Sequence, residues 1–392
     1  KLETLKTAQE QVNEQFAKGE ISEGQHRAFQ RELTKTESQL KHYEKQLRAV
    51  NLENHEFTQR MGEMGQKLQD IGSRMSETGK TLSTRLTAPL LALGAVAGKA
   101  AIDFESAFAG VRKAVDATEA EFATLEKSIR QMAKEIPASA NEIAKVAESA
   151  GQLGIATEHI ADFSRVVIDL GETTNMSADQ AATSLARLAN ITQLPQTEFD
   201  RLGSTVLALG NSLATTESEV VDMSLGLAGA GKQIGMTEAQ ILAFAGSLSS
   251  VGIAAQAGGT SFSRLMIDMQ LAVETSNEKL QDFARVAGMS TTQFKKAFQD
   301  DAAGAIIAFV QGLQVAEEQG TSAIKVLDDM GITEVRMRDA LLRAAGAGDL
   351  FAESIALGTK AWEENTALTD KAAERYDTTA AKLAIMRNQL QD

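Results

Sequence analysis

The chain has 392 residues with a formal net charge of −14, 43% hydrophobic residues and no cysteine. Without cysteine it has no disulfide, thiolate nucleophile or cysteine-based metal site. The negative charge disfavours sequence-independent binding of nucleic-acid phosphates, which requires clustered Lys and Arg. The four histidines are scattered and form no HExxH motif, so neither catalytic residues nor a metal or other cofactor is predicted.

Three prolines, Pro89, Pro137 and Pro195, interrupt a chain that is rich in Ala and Leu. Proline is the strongest helix breaker, so the long stretches without it favour helices. No stretch shows convincing two-residue alternation over the length of a strand. The sequence therefore predicts an all-α fold, with a long coiled-coil rod, an Ala/Gly-rich multi-helix bundle and a further long helix.

The first predicted region, residues 1–88, opens with apolar residues at heptad spacing and is broken at Lys18-Gly19-Glu20. Ser22 is followed three residues later by Gln25, which fits a capping box at a helix start. A turn near residues 18–22 is therefore expected between two helical stretches.

A sustained heptad repeat runs from Phe29 to Leu82, and Thr36, Asn54 and Thr78 are its only interruptions. A seven-residue period held this long predicts a left-handed coiled coil with a partner helix. The alternative is one amphipathic helix lying on a globular core. A polar residue such as Asn54 at an a position often determines register and oligomer state. The predicted oligomer core consists of Phe29, Leu33, Leu40, Tyr43, Leu47, Val50, Asn54, Phe57, Met61, Met64, Leu68, Ile71 and Met75.

Three glycines, Gly65, Gly72 and Gly79, occupy successive e positions of this repeat. Each costs about 1 kcal/mol in a helix interior relative to Ala. One interpretation is that the row lets another backbone approach closely, and the other is local softness of the helix.

Residues 89–103 are predicted to be an apolar helical connector that begins at Pro89. The apolar run from Leu90 to Ile102 is interrupted by Gly94, Gly98 and Lys99. It is too short for a membrane-spanning helix, which needs about 20 apolar residues. A buried helix that joins the rod to the next region is expected.

Residues 104–357 are predicted to form a helical core domain of short helices separated by Gly or Pro turns. Helix starts are indicated by six capping boxes, Thr118/Glu121, Ser139/Glu142, Ser177/Gln180, Thr216/Glu219, Thr237/Gln240 and Ser290/Gln293. Helix ends are indicated by five glycines suited to a left-handed C-cap, Gly154, Gly171, Gly235, Gly252 and Gly288.

The segment from Gly226 to Gln233 has the glycine and lysine spacing of a phosphate-binding P-loop. Gln233 replaces the Ser or Thr that would hold Mg²⁺, and the flanking sequence is typical of helix rather than strand. The small residues are therefore interpreted as a helix-packing surface.

Paired acids such as Asp300-Asp301 and Asp328-Asp329 also occur in the core region. In an acidic helical protein such pairs are usually solvated residues at helix ends. No catalytic role is assigned to them.

Residues 358–392 are predicted to begin a further long helix, with Trp362, Leu368, Tyr376 and Leu383 in its apolar pattern. The chain lacks an initiator Met, and no helix stop follows Leu390. We therefore expect the chain to continue in the full protein.

Several sequence segments together resemble the N-terminal coiled coil and helical core of phage tail tape measure proteins. After the heptad rod, these segments are Phe104-Glu-Ser-Ala-Phe108, Ser139-Ala-Asn-Glu-Ile-Ala-Lys-Val-Ala147, Ala181-Ala-Thr-Ser-Leu185, Ala257-Gly-Gly-Thr-Ser-Phe-Ser-Arg-Leu265 and Ala367-Leu-Thr-Asp-Lys-Ala-Ala-Glu-Arg-Tyr376. The resemblance covers residues 22–392 and rests on the overall sequence pattern and several short segments rather than on one diagnostic motif.

The resemblance implies a structural, non-enzymatic protein that sets phage tail length, scaffolds assembly of the tail tube and leaves the tube for DNA ejection. It implies a homo-oligomer, with a trimer expected, and contacts with tail tube proteins, tail tip or baseplate proteins and tail assembly chaperones. Specific nucleic-acid binding is not expected. The implied location is the virion, in the tail tube lumen or tail tip, and the host cytoplasm during assembly.

Two other classes of function compete with this interpretation. The first is a membrane-active protein that inserts residues 90–102 and the Ala/Gly-rich helices into the host envelope, where it helps to form a DNA-entry channel. The second is an enzyme that uses Lys232 or paired carboxylates. The enzyme class is disfavoured because the motifs that would support it are incomplete.

Overall fold

The computed structural model describes residues 13–14, 17–18, 103–347 and 349–391. These residues form helices joined by short turns, and no strand occurs among them, which confirms the all-α prediction. Residues 103–114 are helical. The helices that follow are α1 (Glu119–Ala133), α2 (Ala140–Gln152), α3 (Ile160–Thr173), α4 (Ala178–Thr192), α5 (Phe199–Ser212), α6 (Glu217–Gln233), α7 (Glu238–Ser250), α8 (Ala255–Thr275), α9 (Glu278–Val286), α10 (Thr291–Asp300), α11 (Ala302–Glu318), α12 (Ala323–Asp329), α13 (Val335–Ala345), α14 (Leu350–Glu364), α15 (Ala367–Tyr376) and α16 (Thr379–Gln391).

The capping boxes determine where six of these helices begin. In each box the Ser or Thr side chain accepts a hydrogen bond from the N3 backbone N–H, and the N3 Glu or Gln accepts one from the N-cap N–H. All six predicted boxes are confirmed, at the starts of α1, α2, α4, α6, α7 and α10.

We predict that two of these capping boxes contribute to protein stability with different pH dependence. The Thr216 backbone N–H and hydroxyl hold the pKa of Glu219 below its usual range. In the box at the start of α4, the uncharged Gln180 side chain accepts the corresponding hydrogen bond. A carboxylate with a lowered folded-state pKa stabilises the protein above its unfolded pKa, and this contribution is lost as the pH falls through the folded pKa. Glu219→Ala is expected to cost up to about 1 kcal/mol at neutral pH and progressively less below about pH 4.5.

The matched variant Gln180→Ala removes the same capping interaction at α4 with no change of charge. Its cost in urea unfolding is expected to stay constant with pH. The same pH dependence for both variants would contradict a charge-assisted box at Thr216.

Four of the five glycines that were predicted to end helices are confirmed, because they adopt the left-handed backbone conformation. Gly154, Gly235, Gly252 and Gly288 have φ of +84°, +85°, +75° and +67°. The prediction for Gly171 is wrong, because this residue lies inside α3. A Cβ at Gly171 would lie 3.1 Å from the backbone nitrogen of Ala178, so the glycine instead allows α4 to begin close to α3.

The helices from residue 103 onward share two hydrophobic clusters. The first contains residues from the 103–114 stretch and from α1 to α5, closed by Leu368, Ala372 and Tyr376 of α15. The second is built mainly from α8 to α13. Helices α6 and α7 contribute to both clusters, and α7 is apolar almost all round, as expected for a helix buried on every side.

The C-terminal residues correct one prediction. A single long helix is expected from residue 358 onward, but the described residues there form the end of α14 followed by α15 and α16. Asn365, the C-cap of α14, has a left-handed φ of +51° that ends the helix. The chain then turns back, and α15 packs on α3 and α5.

The chain divides into two units near residue 100, and the clusters described above belong to the unit Ala101–Leu390. Within it, Phe163 and Phe199 meet edge to face with ring centroids 4.6 Å apart. Full burial of such a side chain stabilises the fold by about 1.5–3 kcal/mol. The first cluster is therefore held by contacts between helices that are distant in sequence.

Candidate functional site

The residues predicted to form the oligomer core lie outside the described residues and stay a prediction. They are Phe29, Leu33, Leu40, Tyr43, Leu47, Val50, Asn54, Phe57, Met61, Met64, Leu68, Ile71 and Met75. The glycines proposed for close helix approach, Gly65, Gly72 and Gly79, and the apolar connector also lie outside the described residues.

The P-loop-like segment lies inside α6 and lacks the geometry of a phosphate site. Anions bind at helix N-termini, where N–H groups are unpaired, but Lys232 is in the last turn of α6 and forms an ion pair with Glu238 at 3.1 Å. The glycines instead bring two helices together. A Cβ on Gly226 would lie 2.9 Å from the Cα of Gly259 in α8.

The contact between α6 and α8 borders a shallow surface groove of about 540 Å³. The Ser263 hydroxyl donates a hydrogen bond to the Gly226 carbonyl across it, at 2.8 Å. Its other lining residues are mostly small or polar, and Ile267 also lines it. The lining contains no histidine.

Two exposed apolar side chains follow this groove along α8. Ile267 and Leu271 are 48% and 51% exposed, and their four-residue spacing places them on one helix face. Arg264, one turn before Ile267, forms an ion pair with Glu334 at 2.8 Å. This surface was not predicted from the sequence, because nothing in the pattern of α8 distinguishes an exposed Ile from a buried one.

The paired acids are helix-end residues, as interpreted from the sequence. Asp301 lies between α10 and α11, where the Gln240 side chain donates a hydrogen bond to it at 3.2 Å. Asp328 and Asp329, near the end of α12, form ion pairs with Arg338 and Lys325. No group of three or more potential metal ligands occurs among the described residues.

A buried polar cluster joins α3 to α15. Asp169 is 2% exposed and accepts hydrogen bonds from the Tyr376 hydroxyl and from Arg165 Nε, the latter at 3.0 Å. Burial raises the pKa of Asp169, while Tyr376 and Arg165 oppose that shift. Burial and the neighbouring carboxylate also raise the pKa of Tyr376. The cluster therefore attaches α15 to α3.

Further polar contacts attach the turn between α14 and α15 to the start of α5. The Asn365 side-chain amide donates to the Asp200 carboxylate at 2.5 Å, and Arg201 donates to the Trp362 carbonyl at 2.7 Å. A Cβ on Gly203 would lie 2.9 Å from Leu368, so this glycine makes room for α15. None of these pairings has a sequence signal, because the partners are separated by more than 160 residues.

No described helix is long and apolar enough to cross a membrane. The described residues from 103 onward form an all-α unit that is held by two hydrophobic clusters. Its class is that of an all-α helical protein.

A family model described as phage-related minor tail protein matches residues 126–330, which is just over half of the chain, and the chain belongs to this family. The match runs from within α1 to the end of α12 and covers most residues of both hydrophobic clusters. No curated protein and no solved structure matches the chain. Membership assigns the chain a structural role in the phage tail, where it contacts other tail components.

Proposed function

We propose that the chain is the N-terminal part of the tape measure protein of its phage tail. Its extended helical length sets the length of the tail, tail tube subunits polymerise around it, and it leaves the tube when DNA is ejected. The observation that carries this proposal is the heptad repeat from Phe29 to Leu82, which precedes in sequence the residues that match the minor tail family.

A coiled coil is physically suited to act as a ruler. Each residue in an α-helix adds about 1.5 Å, so length is proportional to residue number. A bundle of identical helices is stiffer than a single chain and buries the apolar stripe that one helix leaves exposed. The proposed assembly is a trimer joined through the predicted oligomer core, with Asn54 setting its register.

The net charge of the protein is compatible with passage of DNA through the tube. The net charge of −14 repels DNA phosphates, so a protein in the tube lumen would not retain the genome. The proposed partners are tail tube proteins, tail tip or baseplate proteins and tail assembly chaperones. The proposed locations are the tube lumen or tip of the virion and the host cytoplasm during assembly.

An early stop codon in the gene tests whether the protein acts in assembly. We expect infected cells to yield heads without tails, or tubes of irregular length, when virions are counted by negative-stain electron microscopy. Complementation with the intact gene should restore tails of uniform length. Tails of normal length that fail only to deliver DNA would instead point to an envelope-inserting protein and would refute the ruler.

A further inference from the structure

The last two helices lie across the first hydrophobic cluster and are attached in two different ways. We define residues 365–391, which contain α15 and α16, as the strap. It begins at Asn365, whose left-handed backbone turns the chain back onto α5.

The first half of the strap, α15, is held mainly by apolar burial. Leu368, Ala372 and Tyr376 are spaced four residues apart, share one helix face and are all buried. Leu368 packs against Gly203 of α5, and the Tyr376 hydroxyl donates to the buried Asp169 of α3. Removing α15 would uncover apolar surface and leave a buried carboxylate without one of its donors.

The second half, α16, is held mainly by polar contacts. Among its described side chains only Ala381 and Asn388 are buried. The Gln389 side-chain amide donates to the Lys134 carbonyl at 2.8 Å, and the Asn388 amide donates to the Ala138 carbonyl, also at 2.8 Å. Among the described side chains, α16 therefore has fewer buried apolar residues to expose than α15 when it leaves the body.

The carbonyls that α16 contacts need donors for a local reason. They lie just beyond the end of α1, where a helix leaves its last carbonyls unpaired, and Pro137 has no N–H to offer. The Asn388 amide also approaches the carbonyls of Ile136 and Pro137 at 3.4 Å. Its own side-chain oxygen is buried without a partner, and this reduces the net gain from docking.

We infer that the strap opens in steps, with α16 leaving the body before α15, while the two hydrophobic clusters stay folded. Segments with few buried apolar contacts open at lower free energy than the core. Opening of the whole strap would add about 90 Å of reach if its residues became fully extended. The strap thus lets the chain beyond Glu364 change its path without unfolding α1 to α13. The inference does not depend on the tape measure proposal.

Hydrogen–deuterium exchange on the full chain tests the order of opening. In the wild-type protein we expect the amides of α16 to exchange faster than those of α15, and those of α15 faster than those of α3 and α5. Equal protection of α16, α15 and α5 would overturn the inference, because it would mean that the strap opens only when the whole body unfolds.

Asn388→Asp tests the polar attachment of α16. The substitution keeps the shape of the side chain but places an acceptor opposite three carbonyls, so exchange in α16 is expected to accelerate at least about tenfold. Exchange in α15 should accelerate with it, because α15 opens only after α16 has left the body. Arg387→Ala, at an exposed neighbouring position, is the matched control and should leave exchange unchanged.

Tyr376→Phe removes the hydroxyl that binds Asp169 and should accelerate exchange in α15 while exchange in α16 stays unchanged, because α16 opens without α15. Acceleration of α16 and α15 by the same factor in Tyr376→Phe would contradict stepwise opening, because it would mean that the two helices open together. If a variant does not fold, the relative exchange rates of α16, α15 and α5 in the wild-type protein still show the order of opening.

Discussion

Replacing Gly312 with Ala is expected to lower the free energy of unfolding by about 2 kcal/mol or more. Gly312 lies in α11 where this helix meets the end of α9, and a Cβ there would lie 1.8 Å from the Val286 carbonyl oxygen and 2.7 Å from its carbonyl carbon. Both atoms are backbone, so no rotamer change relieves the clash. The loss should exceed the gain of about 1 kcal/mol that Ala brings to a helix interior.

Gly229→Ala is the matched control for this prediction. Gly229 is also inside a helix, α6, but no atom lies within 4 Å of the position that its Cβ would occupy. This variant should be neutral or more stable by up to about 1 kcal/mol. Urea unfolding followed by circular dichroism measures both variants. Equal stability of the two would mean that α9 and α11 do not approach each other as closely as described.

The helix starts could be predicted from the sequence because their causes are local. A capping box needs two side chains three residues apart, and both are visible in the sequence. Ser139 with Glu142 and Ser290 with Gln293 are found where the pattern indicates. The left-handed glycines at the ends of α2 and α6 are similarly local, since only the backbone of one residue has to adopt an unusual conformation.

The errors arose where a distant segment determined the local structure. Gly171 resembles a helix stop, but α3 continues past it and its missing side chain makes room for α4. The predicted long C-terminal helix is interrupted at Asn365, a residue type that tolerates the left-handed conformation less readily than glycine. Its position is explained by the hydrogen bond to Asp200, which the sequence does not reveal.

The buried polar cluster could not be predicted for the same reason. Asp169 and Tyr376 are separated by 207 residues, and neither residue has an unusual sequence neighbourhood. The small residues of α6 did indicate close packing, but not that Gly259 of α8 would be the partner. Sequence periodicity identifies the buried face of a helix and not the helix that covers it.

The heptad repeat carries the functional proposal and can be changed without shifting its register. Removing residues 40–67 joins Gln39, a g position, to Leu68, an a position, and keeps the seam continuous. Duplicating the same residues lengthens the seam in register. If the predicted coiled coil acts as a ruler, each change alters its length by about 42 Å.

Tail length in the deletion, duplication and wild-type phages, measured by electron microscopy over many virions, tests this account most directly. The control phage replaces residues 40–67 with a different heptad sequence of equal length and should keep wild-type tails. The account predicts tails shorter and longer than wild type by about 42 Å. Tails of unchanged length in all four phages would contradict it.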